Sequence, residues 1–270
     1  MNPLIETRGV RKEFVLDRGK RVLALDGADI AVAGKEFVCL LGPSGCGKST
    51  WLRIVAGLER ASEGEVLYKG AAITGPGKER GMVFQEYSLL PWRTVAENVA
   101  LGPEFSGMGK KERRELAMDY LSRVGLEREA VEMLRMVGIP EPEKRVKQYP
   151  HEFSGGMRQR AAIARALAND PDVLLMDEPF GALDAHTRVL LQKELLRIWE
   201  MDRKTVVFVT HSVDEAIFLA DRIVVMTSHP GRVLENIEVG FERPRHRSAP
   251  GYGEMTERIF ELLEGGGEED

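Results

Sequence analysis

The sequence predicts an α/β fold: a parallel core sheet flanked by helices, a small antiparallel β region at the amino terminus, and an inserted helical subdomain at about residues 90–160. Three observations predict it. FVCLL at 37–41 is a short continuous apolar run of the kind a strand buried on both faces gives, and it runs straight into a glycine-rich loop and then a helix-patterned segment. VLLMDE (173–178), TVVFVT (205–210) and RIVVMT (222–227) repeat that apolar pattern, with helix-patterned stretches such as DAHTRVLLQKELLRIWEM between them. Between about Leu90 and Tyr149 the composition changes to Glu, Arg, Leu and Met, strong helix formers at three-and-four spacing.

In chain order, residues 1–34 alternate short apolar runs (PLIETRGV, RVLALDGADIAV) with charged turns, which predicts a few antiparallel strands. FVCLL, GPSGCGKST and WLRIVAGL then read as strand, loop and helix. Two or three amphipathic helices are expected from LPWRTVAENVALG through MGKKERRELAMDYLSRVGLEREAVEMLRMVGI. LSRVGL at 121–126 and LRMVGI at 134–139 resemble each other, so this region is expected to be longer than usual by about one helix. Strands and helices resume after Pro150. The basic piece RPRHR (243–247) reads as a solvated loop, YGEMTERIFELLE as a packing helix, and the tail GGGEED as disordered. The expected organisation is one domain over 1–270: a core from 1–89 and 161–235, the helical subdomain at 90–160, and a tail from 236.

Composition excludes several classes. The 270 residues are 43% hydrophobic and 30% charged, ordinary for a chain that buries a full-sized core. With 38 Lys+Arg against 43 Asp+Glu the net charge is −5, which lacks the basic field that nucleic-acid binding requires. No run of 18 apolar residues and no apolar signal-peptide core occurs, so a cytoplasmic location is expected. Cys39 and Cys46 are too few for a disulfide framework or a zinc site. Cys39 is expected in a buried strand. Cys46, inside the glycine-rich loop, is either a small residue that fits there or a thiol made reactive beside a lysine.

Gly42, Gly47, Lys48 and Ser49 fit G-x-x-x-x-G-K-[ST]. In such a loop glycines let successive N–H groups face phosphate oxygens, the lysine reaches the β and γ phosphates, and the serine hydroxyl is offered to Mg²⁺. VLLMDEP supplies a partner: Asp177 at a strand end can sit near Mg²⁺, and Glu178 could orient and deprotonate an attacking water. Two carboxylates merely capping a strand is the competing reading. His211 directly follows TVVFVT, where a parallel neighbour would open onto the same edge, although a lone His at a strand end is more often a surface residue. Gln85 ends an apolar stretch and by itself says little. Phe14 could stack on an adenine ring or pack in a core, and the sequence leaves both open. In HEFSGGMRQR, a Ser-Gly-Gly corner stands before a helix-patterned segment, a second place where bare N–H groups and the helix dipole favour an anion.

GPSGCGKST, Gln85, FSGGM, VLLMDEP, GALD (181–184) and His211 stand in the order and approximate spacing of the ATP-binding-cassette (ABC) transporter ATPases, and the resemblance covers nearly the whole chain. It implies a P-loop core that hydrolyses Mg-ATP. Two cassettes would close head to tail, so that Ser154, Gly155 and Gly156 of one hold the γ-phosphate bound to the other. It further implies that the loop from Gly42 through Pro43, Ser44, Gly45, Cys46, Gly47, Lys48 and Ser49 to Thr50 cradles phosphates and Mg²⁺, with Phe14 stacking on the adenine. Gln85 would touch Mg²⁺ and the water, Asp177 would support the metal, and Glu178 would be the general base. His211 would contact the γ-phosphate and Asp184 would lie at the dimer seam. Met157 stands where many relatives have Gln, past the Ser-Gly-Gly donors, and little loss of activity is expected.

LPWRTVAENV (90–99) and HPGRVLENIEV (229–239) resemble importer ATPases for nitrate, sulfonates, taurine and similar small anions such as bicarbonate. MVGIPEPEKRVKQYPHEFSGGMRQR (136–160) is similar to dipeptide and oligopeptide importer ATPases. The implied partners are a second ABC ATPase subunit in a homodimer, transmembrane permease subunits at the cytoplasmic face of the membrane and, indirectly, a solute-binding protein, with no nucleic acid. A non-transport ABC ATPase or a regulatory ATP-binding module are the alternatives, and intact Glu178 and His211 argue against the latter.

Overall fold

The computed structural model describes residues 3–16, 19–126 and 148–265. The second member of the expected repeat (134–139) and the tail from 266 lie outside the described residues, as do the expectations of an extra helix and of a disordered end. The chain divides into two compact units, the first comprising Met1–Gly77, Leu175–Glu178 and Lys204–Asp270, the second Lys78–Leu174 and Pro179–Arg203.

In the first unit, β1 (Ile5–Val15) and β2 (Arg21–Val32) form the expected antiparallel pair. The antiparallel region extends further than 1–34, because β4 (Glu63–Tyr68) and β5 (Ala71–Ala72) join it in the order β2-β1-β4-β5. Thr7 fastens it: its hydroxyl donates to Ala28 O at 2.9 Å and accepts from Ile30 N at 2.9 Å and from Trp51 Nε1 at 3.2 Å. Trp51 is fully buried on α1 (Lys48–Val55), the helix after the glycine-rich loop, so one hydroxyl joins that helix to the sheet.

The second sheet carries β3 (Phe37–Leu41), β6 (Arg80–Val83), β7 (Val173–Asp177), β8 (Thr205–Thr210), β9 (Arg222–Met226) and β10 (Val233–Glu238) in the order β10-β9-β3-β8-β7-β6. Every residue of β3, β7 and β8 is buried, which is why these strands read as unbroken apolar runs rather than alternating ones. β3 is parallel to β8 and β9, with Leu41 opposite Thr210 and Val225, so the loop after Leu41 and the segment after Thr210 leave the sheet at one carboxyl-terminal edge. β10 closes the far side as an antiparallel strand. The short helix α7 (Val213–Leu219) follows β8, and α8 (Tyr252–Gly265) packs on α7 and β9, as a packing helix should.

The second unit is mainly helical. It holds β6, α2 (Val95–Val99), α3 (Leu101–Phe105), α4 (Lys110–Arg123), a 3₁₀ turn at Pro150–Glu152, α5 (Gly155–Leu167) and α6 (Ala185–Asp202), together with the first two residues of β7. Thr94 and Glu97 form a reciprocal capping box at the start of α2. Fully buried Asn98 ties the preceding loop to the helix by bonding both Leu90 N and Leu90 O. α2, α4 and α5 pack on one another, although α4 buries only Ala117 and Leu121 and is otherwise polar.

Candidate functional site

The loop after β3 is shaped by what its glycines exclude. A Cβ on Gly42 would lie 2.8 Å from Cys46 Sγ and 2.9 Å from Met226 O. Gly47 caps α1 at a φ of 92°, and a side chain there would stand 2.6 Å from both Ala24 O and Leu25 Cδ2. Pro43, Ser44 and Gly45 form an exposed rim, while Ser49 and Thr50 are half-buried on the first turn of α1. Lys48 is 3% exposed and folds back over the loop, its ammonium donating to Gly42 O and Pro43 O at 2.8 Å. Those weak carbonyl partners are what phosphate oxygens would displace. Cys46 is buried with Sγ 3.6 Å from Lys48 Nζ, so the small-residue reading holds and the exposed reactive thiol does not. Cys39 is buried in β3, and burial pushes its thiol pKa well up.

Both carboxylates stand at the carboxyl end of β7. Asp177, 2% exposed, accepts a hydrogen bond from Ser49 Oγ at 2.6 Å. Burial raises its pKa, with the Ser49 bond acting in the opposite direction. Glu178 has a φ of 41°, a left-handed conformation for a non-glycine residue, and its N–H donates to Val209 O at 3.1 Å. That turn faces its carboxylate toward β8, where Glu178 Oε2 lies 3.2 Å from His211 Nδ1. His211 is held from behind: Thr210 Oγ1 donates to buried Glu215 Oε2 at 2.6 Å and accepts from Ser212 N at 3.0 Å, and Ser212 caps α7. Among the described residues, no cluster of three His, Cys, Asp or Glu could hold a metal ion. Ser49 and Asp177 do suit Mg²⁺, which takes few protein oxygens and completes its shell with phosphates and water.

The second unit holds the other expected residues. Gln85 is exposed just beyond β6. Ser154 caps α5, its hydroxyl accepting from Met157 N at 3.3 Å, which places Gly155 and Gly156 on the open first turn. A Cβ on Gly156 would lie 2.8 Å from Thr187 Cγ2, and one on Gly155 3.2 Å from the Tyr87 hydroxyl, so the corner is tight. Asp184 caps α6 and accepts from Thr187 N at 2.9 Å, a bond that lowers its pKa.

Two expectations are corrected. Phe14 lies near the end of an eleven-residue strand rather than a short one; it is half-exposed, and Lys12 Nζ stands 4.8 Å from its ring, which removes the core-packing reading. RPRHR is not a solvated loop. Arg245 is buried and donates to Ile217 O at 2.9 Å and Phe218 O at 3.2 Å, Arg243 reaches Asp221 and Leu219 O, and Arg247 pairs with Asp214 through two bonds of 2.6 and 2.7 Å. The helix after His211 is therefore clasped at both ends. Alternating arginines were the only local signal.

A family model described as ABC transporter matches residues 25–181. An uncharacterised ABC transporter ATP-binding protein of Methanocaldococcus jannaschii is 51% identical over 245 residues, covering 91% of this chain and 86% of that protein. The aliphatic sulfonates import ATP-binding protein SsuB of Bacillus cereus is 43% identical over 259 residues, 96% of this chain and 95% of its own. The dimeric structure of a post-hydrolysis state of the ATP-binding cassette MJ0796, bound to ADP and Pi, superposes with a TM-score of 0.73 at 33% identity, covering 88% of this chain and all of that one. The chain belongs to the ABC transporter family, as an ATP-hydrolysing cassette. Among the described residues no helix is long and apolar enough to cross a membrane.

Proposed function

We propose that the chain is the ATPase subunit that powers import of a small anion, an aliphatic sulfonate or an anion of similar size and charge, from the cytoplasmic face of a membrane. The observation that carries the ATPase chemistry is the pairing of Glu178 with His211 at 3.2 Å, beside a phosphate loop whose Ser49 is bonded to Asp177. The substrate class rests on the likeness to sulfonate importers, which extends over 96% of the chain.

Lys48 would release Gly42 O and Pro43 O to hold the β and γ phosphates, with loop N–H groups and Thr50 around them and Phe14 against the adenine. Mg²⁺, held by Ser49, Asp177 and Gln85, would neutralise phosphate charge. Glu178 takes the proton of the attacking water, and His211 holds that carboxylate and the γ-phosphate in line, so positioning and charge supply most of the acceleration. Ser154, Gly155 and Gly156 complete the site of a second copy, and Asp184 lies at the seam. The cassettes dock on separate permease subunits served by a solute-binding protein.

The test is ATP hydrolysis and ATP-driven dimerisation of the purified chain beside Glu178→Gln. Turnover by the natural sequence and an ATP-trapped dimer of the variant support the composite site. Failure of both, with the permease present, removes it. Sulfonate-stimulated hydrolysis by the reconstituted permease complex, set against stimulation by a dipeptide, decides the substrate class.

A further inference from the structure

We propose that the turn His229–Arg232 is a brace that positions the phosphate loop for nucleotide, with Gly231 and Arg232 as positioning residues; the inference rests on the reading of residues 42–50 as the polyphosphate site. The turn joins β9 to β10 and makes no part of the chemistry above.

Three backbone segments meet there with no side chain between them. Gly231 N donates to Ala24 O and Asp26 N to Gly231 O, each at 3.0 Å, which makes an isolated parallel bridge between the turn and β2. On its other side Gly231 presents a bare Cα to the phosphate loop: a Cβ there would lie 1.9 Å from Cys46 O. Ala24 O, the acceptor of that bridge, is also 2.6 Å from where a Gly47 Cβ would stand. The Cys46–Gly47 peptide is thus gripped between β2 and the turn. His229 closes the rim, its Nε2 lying 3.8 Å from the Cβ position of Gly45.

The turn is itself locked. Thr227 Oγ1 donates to Pro230 O at 2.9 Å and accepts from Arg232 N at 3.0 Å. Arg232 reaches Asp26 Oδ2 through Nε at 3.0 Å and Nη2 at 2.6 Å, and Arg11 Nε holds the other oxygen of Asp26 at 2.9 Å. A loop fixed in this way before nucleotide arrives loses less freedom on binding, so the brace acts on affinity rather than on the chemical step. This differs from the role of Lys48 or Glu178, which touch the phosphates or the water.

The experiment compares equilibrium ATP binding in EDTA and steady-state hydrolysis for Gly231→Ala, Arg232→Ala, Arg232→Lys and Lys48→Ala, with thermal unfolding of each in the absence of nucleotide. Gly231→Ala, whose methyl meets Cys46 O, is expected to weaken ATP binding about tenfold, or ~1.4 kcal/mol, and to raise KM with kcat at saturating ATP nearly unchanged. Arg232→Ala, at an exposed ion pair, is expected to weaken binding about threefold without lowering the nucleotide-free melting temperature, and Arg232→Lys to recover part of that loss. Should Gly231→Ala not fold, the two Arg232 variants decide. Unchanged ATP affinity in the folded Gly231 and Arg232 variants, or a fall in kcat at unchanged KM, overturns the brace while leaving the phosphate-loop reading intact. If Lys48→Ala also binds ATP normally, that reading falls and the brace falls with it.

Discussion

Glu178 Oε2 and His211 Nδ1 stand 3.2 Å apart, joining the ends of two neighbouring strands across the edge where the phosphate loop also leaves the sheet. A carboxylate held by an imidazole in this way is oriented before any water arrives. Glu178→Gln keeps the shape and removes the base, so kcat should fall by about 10²–10⁴ while ATP affinity stays close to that of the natural sequence. Phosphate release at saturating ATP, read beside equilibrium binding, checks both halves.

His211→Ala should lower kcat more than it raises KM. Because the two groups act as a unit, adding it to Glu178→Gln should cost little beyond the single substitution. A fully additive double variant would mean that the two side chains work independently.

Asp177 carries a cost that its role explains. Burial raises its pKa above 3.8, so the folded state holds that proton more tightly than the unfolded chain. The stability this gives is fully present below pH 3.8 and is lost as pH rises through the raised value. Asp177→Asn should therefore raise the melting temperature of the nucleotide-free protein at neutral pH, by about 2–4 °C, while impairing hydrolysis. Melting curves taken down a pH series should show the gain shrinking with acidity.

What the sequence could reveal follows the range of the interactions. β3, β7 and β8 were legible because a strand buried on both faces needs only its own apolar run, and Ser154 as a cap needs only the residues that follow it. Phe14 was not legible, because exposure depends on which strands flank it. Arg245 was hidden more deeply: its acceptor Ile217 O lies 28 residues away, and a backbone carbonyl leaves no mark in a sequence. Gly231 is similar, since its need to be glycine comes from Cys46 O in a distant segment.

At the Ser154 corner the second unit makes its own test. A methyl on Gly156 would meet Thr187 Cγ2 at 2.8 Å, so Gly156→Ala should destabilise by about 1–3 kcal/mol through overpacking. Thr187→Ser removes that methyl and should restore much of the loss. Denaturant titration of the single and double variants measures it, and hydrolysis by the restored double variant separates packing from any direct role of the Gly156 N–H.

The arginine clasp on α7 yields the last prediction. Arg245 satisfies carbonyls at the carboxyl end of a seven-residue helix, where Ile217 O and Phe218 O have no acceptor role left within the helix, and it also donates to Phe241 O and Val239 O. Arg245→Ala strands these buried oxygens and should cost about 2–4 kcal/mol, with Arg245→Lys recovering only part because one ammonium cannot span all four. Burial lowers the guanidinium pKa from 12.5 to about 10. A depressed pKa gives stability only above the unfolded value, and that stability is already lost once pH falls through about 10. From about pH 6 to 9 the penalty is therefore constant, and the difference between Arg245→Ala and the natural sequence should not vary with pH. Urea midpoints at three pH values across that range test this, and a difference that changed with pH would mean that another titrating group depends on the clasp.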